Sequence, residues 1–250
     1  MLELDDARVA LRRELGEIVD CLDHLEPPLW TSTTGLDEWR IVDLARHLVW
    51  GQRLQALAWA QLNAGSLSAR VPDEPTSSAP GDLVAELRSA HEEFMTELAV
   101  VGNAQLGQSC PLPYGVLPGG FVLQIAVMEA GVHHYDLAAS IATRHELPAD
   151  VTTACLAVVP GLLQTMSTAS AEPIDEGLSY RFAGDRLDLT IRREADTWKI
   201  GDVDEPACVI SGPDADLILF VLGRIDCTSP SLAVQNVTDA AAFKRRFPGP

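Results

Sequence analysis

The chain has 250 residues, a hydrophobic share of 47 % and a formal net charge of −18 at pH 7. This length and apolar content allow one large domain or two modest ones and argue against global disorder. The negative charge repels nucleic acids and anionic membranes, so neither is an expected partner. The five cysteines are scattered and odd in number, which argues against a disulfide framework and a cysteine zinc site.

The N-terminal segment MLELDDARVALRREL is charged and helically periodic, without the basic and apolar regions of a signal peptide. Apolar runs elsewhere are too short or too interrupted to span a bilayer. We therefore expect a cytoplasmic protein that is a monomer or a homodimer.

The first two thirds of the chain have the periodicity of helices. Apolar residues at spacings of three and four predict helices over residues 3–25, 38–63, about 82–101, about 120–143 and about 149–167. Pro27 and Pro28 end the first helix, and Asp82 is the expected cap of the third. The segments GSLSARVPDEPTSSAPGD and CPLPYGVLPGG have the composition of loops. Helices joined by one or two long connections predict a four-helix bundle, extended by the fifth helix.

After about residue 172 the pattern changes to short alternating segments separated by turn residues, which predict strands. The strand candidates are LSYRFAG, RLDLTIRR, TWKIGD, CVISG and SLAVQN. PDADLILFVLGR predicts a helix with Pro213 in its first turn, and DAAAFKRRF predicts a closing helix. The expected fold class is α + α/β with two domains: an N-terminal four-helix bundle over residues 1–170 and a small α+β domain over residues 171–250.

The stretch MEAGVHHYDLA places Glu129, His133 and Asp136 at spacings of four and three, which put them on one helix face. Charged groups on an inward helix face are costly unless something pairs with them. In EWRIVDLARHLVW, His47 lies among apolar residues and is expected to face the bundle interior. Two histidines and a glutamate from facing helices, with one open position, have the composition of a catalytic zinc site.

Two aspartates are candidates for orienting the histidines. Asp136 lies one turn beyond His133 and is expected to accept the N–H of a ligand imidazole. Asp43 lies one turn before His47 and either does the same or lies on the surface. The alternative is a core polar network without a metal, because Glu-x-x-x-His spacing occurs often on helices by chance.

The remaining histidines have weaker patterns. His134 is expected to face away from His133, exposed or at the wall of a pocket. His24, His91 and His145 are expected to be solvated.

Three segments resemble the mycothiol-dependent maleylpyruvate isomerase family. W-x-x-x-D-L-x-x-H-L at residues 39–48 is similar to its N-terminal signature, and E-x-x-x-H-x-x-D at residues 129–136 to its second. GPDADLILFVLGR resembles its C-terminal domain, which is related to sterol-carrier-like folds. The resemblance implies a DinB-like four-helix bundle that carries a divalent metal, usually zinc, with mycothiol as the thiol cosubstrate.

The same resemblance assigns roles to particular residues. It implies His47, Glu129 and His133 as the metal ligands and Arg224 as an arginine tied to isomerase activity. The alternative for Arg224 is an arginine at a helix C-terminus that neutralises the helix dipole.

The expected mechanism begins with a thiol that loses its proton at the metal, since divalent cations stabilise thiolates strongly. The thiolate then attacks an electrophilic carbon of a small molecule. Rotation of the adduct and loss of the thiol give cis–trans isomerisation, whereas release of the adduct gives S-transfer. Arg224 is expected to bind a substrate carboxylate or the polar part of the thiol. The alternatives are a metal-dependent hydrolase on the same bundle and a non-catalytic protein that binds a metal or small ligand.

Overall fold

A computed structural model of the chain describes residues 1–36, 39–143, 145–166, 176–195 and 197–247. The chain divides into two compact units, Met1–Ala154 and Cys155–Pro250. Helices dominate the N-terminal part and a small sheet follows, which confirms the expected fold class. The predicted domain boundary at residues 170 and 171 lies outside the described residues. No helix in the described part of the chain is both long and apolar enough to cross a bilayer.

The first unit is built mainly from long helices. They are α1 (Leu4–Asp23), α2 (Ile41–Asn63), α3 (Pro80–Ala99), the one-turn α4 (Asn103–Leu106), α5 (Gly119–Ser140) and α6 (Ala149–Met166), which continues into the second unit. Helix α2 packs against α3 and α5, while α1 packs against α3 and α5. The five long helices predicted from apolar periodicity are therefore confirmed, with ends shifted by a few residues.

Helix α5 is buried on most of its surface because most of its residues are apolar. One close contact fixes its middle. A Cβ atom added at Gly131 would lie 2.3 Å from Cγ1 of Val151, so only glycine allows the two backbones to approach this closely. Gly131 lies between Glu129 and His133, and this contact therefore holds the segment that carries both side chains.

Three local expectations were wrong. Helix α3 begins at Pro80 rather than at Asp82, which lies in its first turn near the positive end of the helix dipole. The expected loop CPLPYGVLPGG contains an antiparallel hairpin of β1 (Ser109–Leu112) and β2 (Gly115–Pro118), with φ +148° at Gly115. A two-stranded ribbon tolerates proline because each strand has an unpaired edge. Helix α1 ends at Asp23, before the two prolines, which instead begin a 3₁₀ turn.

The described part of the second unit contains one sheet with strand order β5-β4-β3-β6-β7. Its strands are β3 (Ser179–Ala183), β4 (Asp188–Glu194), β5 (Thr197–Ile200), β6 (Cys208–Ser211) and β7 (Ala233–Gln235). Strand β3 pairs antiparallel with β4 and parallel with β6. Helices α7 (Asp214–Val221) and α8 (Val237–Arg246) complete the unit, and Pro213 precedes α7 rather than lying in its first turn.

Aromatic rings form much of the core of the second unit. Phe243 of α8 packs edge-on against Tyr180 and Phe182 of β3, with ring centroids 5.1 and 5.4 Å apart, and stacks on Phe220 of α7 at 5.3 Å. These contacts tie both helices to the central strand of the sheet.

Candidate metal centre

Helices α2 and α5 bring together the three side chains predicted as metal ligands. His47 projects from α2, and Glu129 and His133 project from one face of α5. The Nε2 atoms of His47 and His133 lie 3.5 and 3.3 Å from the same carboxylate oxygen, Oε2 of Glu129. One ligand atom from each side chain lies within 4.8 Å of the others.

These separations fit a metal ion. In a tetrahedral zinc site with bonds of about 2.0–2.1 Å, neighbouring ligand atoms are about 3.3–3.4 Å apart. The two distances to Glu129 match that spacing and exceed the usual length of a hydrogen bond. The donor set, two imidazoles and a carboxylate, also occurs in catalytic zinc sites.

Asp136 orients one of the imidazoles. Its buried Oδ2 lies 3.0 Å from Nδ1 of His133, so this contact leaves Nε2 of His133 facing Glu129. A carboxylate on the remote nitrogen of a ligand histidine fixes the tautomer and raises the basicity of the ring. The sequence analysis expected this contact.

Opposite charges stabilise each other at the centre. Burial alone would raise the pKa of Glu129, but the nearby imidazoles of His133 and His47 hold it well below its usual value. Burial alone would lower the pKa of His133, but the hydrogen bond with Asp136 and the charge of Glu129 raise it to about 9. The Glu129 carboxylate is therefore ionised at neutral pH, as a metal ligand has to be, whereas His133 would release its proton on binding a metal ion.

Asp43 does not orient His47, contrary to one of the two expectations. Its Oδ2 accepts hydrogen bonds of 3.0 Å from both the backbone N–H and the Nε–H of Arg40, which places it at the N-terminus of α2. A carboxylate at a helix N-terminus accepts hydrogen bonds from free backbone N–H groups and interacts favourably with the helix dipole. Because Asp43 makes these local interactions, it does not contact His47. The ring of Trp39 packs against His47 instead, with centroids 5.0 Å apart.

Arg224 belongs to the second unit, just after the end of α7. Its Nη1 donates a 2.6 Å hydrogen bond to the carbonyl of Leu222. This contact is typical of an arginine at a helix C-terminus. A catalytic role for Arg224 stays a prediction.

A cavity of about 190 Å³ lies beside the three candidate ligands. Its walls include Trp50, Gln52 and Gln55 of α2 and Tyr114 at the tip of the β1–β2 hairpin, none of which was predicted as a site residue. A signal for the glutamines was present in the sequence. The core stripe of α2 consists of Leu44, Leu48, Gln52, Gln55, Trp59 and Leu62, and two amides interrupt it.

A second group of possible ligands lies elsewhere in the first unit, formed by Glu14, His134 and His145. Nδ1 of His134 is 2.7 Å from Oε2 of Glu14, which is a direct hydrogen bond. Arg13 donates to the other oxygen of Glu14 at 2.8 Å and also binds Asp150. Because hydrogen bonds already occupy both oxygens of Glu14, this group is better described as a polar network than as a metal site.

The network corrects two expectations about histidines. His134 is buried and bonded rather than exposed, and His145 is packed against it with ring centroids 3.9 Å apart. His91 is half-buried rather than fully solvated, and this burial lowers its pKa. His24 is exposed, as expected.

The fold and the site define a class of protein: a helical bundle with a candidate two-histidine, one-glutamate metal centre, followed by a small sheet-containing unit. The family model described as the mycothiol maleylpyruvate isomerase N-terminal domain matches residues 11–138, more than half of the chain. The chain therefore belongs to this family. The matched segment contains His47, Glu129 and His133.

Solved structures agree on the fold. A crystal structure of a histidine-to-alanine mutant of mycothiol-dependent maleylpyruvate isomerase has a TM-score of 0.68 at 13 % identity. A second crystal structure of mycothiol-dependent maleylpyruvate isomerase has a TM-score of 0.63 at 15 % identity. Each alignment covers 94 % of this chain and 93 % of the other. No curated protein matches the sequence.

Proposed function

We propose that the protein is a metal-dependent enzyme that uses mycothiol to transform an electrophilic small molecule, by isomerisation of the maleylpyruvate isomerase type or by S-transfer. The observation that carries the proposal is the placement of two imidazole Nε2 atoms 3.3 and 3.5 Å from one oxygen of Glu129. Membership of the isomerase family supports the choice of thiol and reaction.

His47, Glu129 and His133 would hold a divalent cation, of which zinc suits the donor set best. A bound cation lowers the pKa of a thiol, so that the reactive thiolate is available at neutral pH. Three protein ligands leave room for that thiol.

The surrounding residues prepare the site for this chemistry. Asp136 holds the ring of His133 in place, and Trp39 packs against His47. Leu48, Leu54 and Ile125 contribute apolar surface to the cavity. Apolar walls exclude water, which strengthens electrostatic interactions inside the site.

We assign to Arg224 the binding of an anionic group of a substrate, because a guanidinium pairs with a carboxylate through two parallel hydrogen bonds. The support for this role is the resemblance of GPDADLILFVLGR to the family's C-terminal domain. Replacement by lysine would keep the charge but lose the paired geometry, so Arg224→Lys should raise KM for an anionic substrate.

The test is turnover of maleylpyruvate by the zinc-loaded protein with and without mycothiol. We expect isomerisation only when mycothiol is present, with activity lost in His47→Ala and kept in His24→Ala, which changes an exposed histidine. Titration of free thiol separates the two reactions, because isomerisation regenerates mycothiol and S-transfer consumes it. Metal-dependent turnover of a hydrolysable substrate without thiol would favour the hydrolase, and ligand binding without turnover would favour a binding protein.

A further inference from the structure

Two buried glutamines line the cavity beside the candidate metal ligands. Gln52 is 4 % exposed and Gln55 is 6 % exposed, and both lie on the core stripe of α2 that also carries leucines. They follow His47 by five and eight residues. Because side chains on a helix point back toward its N-terminus, both amides extend along α2 toward His47.

The Oε1 atoms of these amides are buried and have no hydrogen-bond partner within the described part of the chain. Most buried polar side-chain atoms in proteins have a partner, since an unpaired one loses its hydration without compensation. Leucine at these positions would continue the stripe formed by Leu44, Leu48 and Leu62. The stripe is thus interrupted at the cavity wall by two amides that have unused hydrogen-bonding capacity.

The amides indicate the chemistry of that ligand. A carboxamide is uncharged and offers both a donor and an acceptor, so hydroxyl and amide groups match it whichever way the amide is turned. An anion would need a cation for comparable binding. Apart from the three candidate metal ligands, no described residue that lines the cavity has a charged side chain.

We propose that Gln52 and Gln55 bind a neutral, hydroxyl- or amide-bearing portion of the thiol that reacts at the metal centre, and so select such thiols over apolar and anionic ones. This inference rests on the proposed function, because it assumes that a thiol reaches the three ligands. It adds two binding residues to that proposal.

The test uses the full chain loaded with Co²⁺, whose absorption spectrum changes when a thiol coordinates. Three thiol probes share a three-carbon skeleton: 1-thioglycerol carries two hydroxyls, 1-propanethiol carries none, and 3-mercaptopropionate carries a carboxylate. For wild type, 1-thioglycerol should have the lowest dissociation constant of the three. In Gln52→Leu and Gln55→Leu, its dissociation constant should rise roughly fivefold, the value of about one hydrogen bond, while that of 1-propanethiol stays the same or falls.

Gln61→Leu is the matched control, because Gln61 lies on the same helix but not in the cavity wall, and it should change neither constant. The two test variants should unfold at the same or higher urea concentration than wild type, which shows that weaker binding does not reflect misfolding. The assignment would be overturned if the substitutions raised the dissociation constants of both neutral thiols equally or changed neither. It would also be overturned if 3-mercaptopropionate bound wild type most tightly. Absence of any thiol-induced change while Co²⁺ stays bound would instead contradict the proposed function itself.

Discussion

Asp136 is the residue that sets how His133 presents Nε2 to Glu129, through a contact of 3.0 Å to Nδ1. Asp136→Asn removes the charge that supports this ring. We expect zinc affinity to fall about 10- to 100-fold, the usual effect of losing such a partner. Competition with a chromophoric chelator measures the change.

Asp43→Asn is the control for Asp136→Asn, because Asp43 caps α2 through Arg40. It should cost about 1 kcal/mol of stability or less and leave zinc affinity unchanged. Equal losses of affinity in the two variants would mean that Asp43, too, supports a ligand histidine.

Substitution of Glu14 tests whether the polar network of Glu14, His134 and His145 is distinct from the candidate metal centre. It is 1 % exposed and accepts hydrogen bonds from Arg13 and His134. Burial alone would raise the pKa of Glu14, but these two partners lower it. Glu14→Gln should therefore cost about 2 kcal/mol, because two donors lose a charged acceptor, while the zinc content stays unchanged.

Urea unfolding and metal analysis test both parts of the Glu14 prediction. Glu17→Gln is the control, since the Glu17 side chain is 57 % exposed and its loss should be close to neutral. Loss of zinc from Glu14→Gln would identify the network as the metal site.

Local spacing explains which site residues the sequence could predict. Glu129 and His133 share a face because four residues make about one helical turn, and His47 faces them because its neighbours on α2 are apolar. His134 was misjudged because α5 is buried on almost all sides, so a residue that faces away from His133 is still inside. Glu14 is its partner from a distant helix, and no spacing rule connects the two.

The middle of α5 depends on the absence of a side chain at Gly131. Gly131→Ala would place Cβ 2.3 Å from Val151, and we expect a cost of about 1–3 kcal/mol from overpacking. This cost outweighs the gain of up to about 1 kcal/mol that alanine brings to a helix. Urea unfolding of the variant measures the balance.

Gly16 of α1 is the matched control for Gly131, because a Cβ there meets no atom within 4 Å. Gly16→Ala should leave stability unchanged or raise it by up to about 1 kcal/mol. If Gly131→Ala were as stable as Gly16→Ala, α5 would not depend on the close approach to Val151.

Asp214 joins α7 to the turn between β3 and β4. Its Oδ1 accepts the backbone N–H groups of Arg186 and Leu187, each at 3.1 Å. Burial alone would raise the pKa of Asp214, but these hydrogen bonds and the Arg186 side chain lower it. A lowered pKa in the folded state means that the carboxylate stabilises the protein above about pH 4 and that this contribution is lost as pH falls further.

Asp214→Asn should therefore cost about 1–2 kcal/mol at pH 7. The difference in free energy of unfolding between Asp214→Asn and wild type, measured by urea unfolding, should shrink between about pH 4 and pH 3. Asp185→Asn changes an exposed residue in the same turn and should be nearly neutral at both values. A difference that stays constant over this range would show that the Asp214 charge is not the stabilising feature.

Elements with a strong periodicity of apolar residues were predictable from the sequence, and elements that depend on distant contacts were not. Apolar residues at helical spacing identified α1, α2 and α5, and alternation identified β3 and β4. The β1–β2 hairpin was missed because its proline-rich sequence is typical of loops, and its pairing depends on the two-residue turn of Pro113 and Tyr114. The one-turn helix α4 is too short for any periodicity to appear.

At the scale of the whole molecule, the sequence pattern and the spatial contacts divide the chain at different places. The sequence pattern changes near residue 172, where alternating hydrophobicity replaces helical spacing. The contacts divide the chain between Ala154 and Cys155, within α6. A change in residue pattern reports the local secondary structure, whereas a unit is defined by contacts that no single stretch of sequence displays.

The family match and the candidate ligands both lie in the first unit, whereas Arg224 lies in the second. We propose that His47, Glu129 and His133 hold one metal ion. Zinc binding to the folded chain would also raise its apparent stability, because the three ligands come together only on folding.

The most direct test is the metal content of the purified protein after zinc is supplied and excess zinc is removed. We predict about one zinc per chain in wild type and in the control His24→Ala, and none in His47→Ala or Glu129→Ala. Wild-type protein without zinc, or zinc retained in both ligand variants, would contradict the metal centre and leave the three side chains as a polar network within the helical unit.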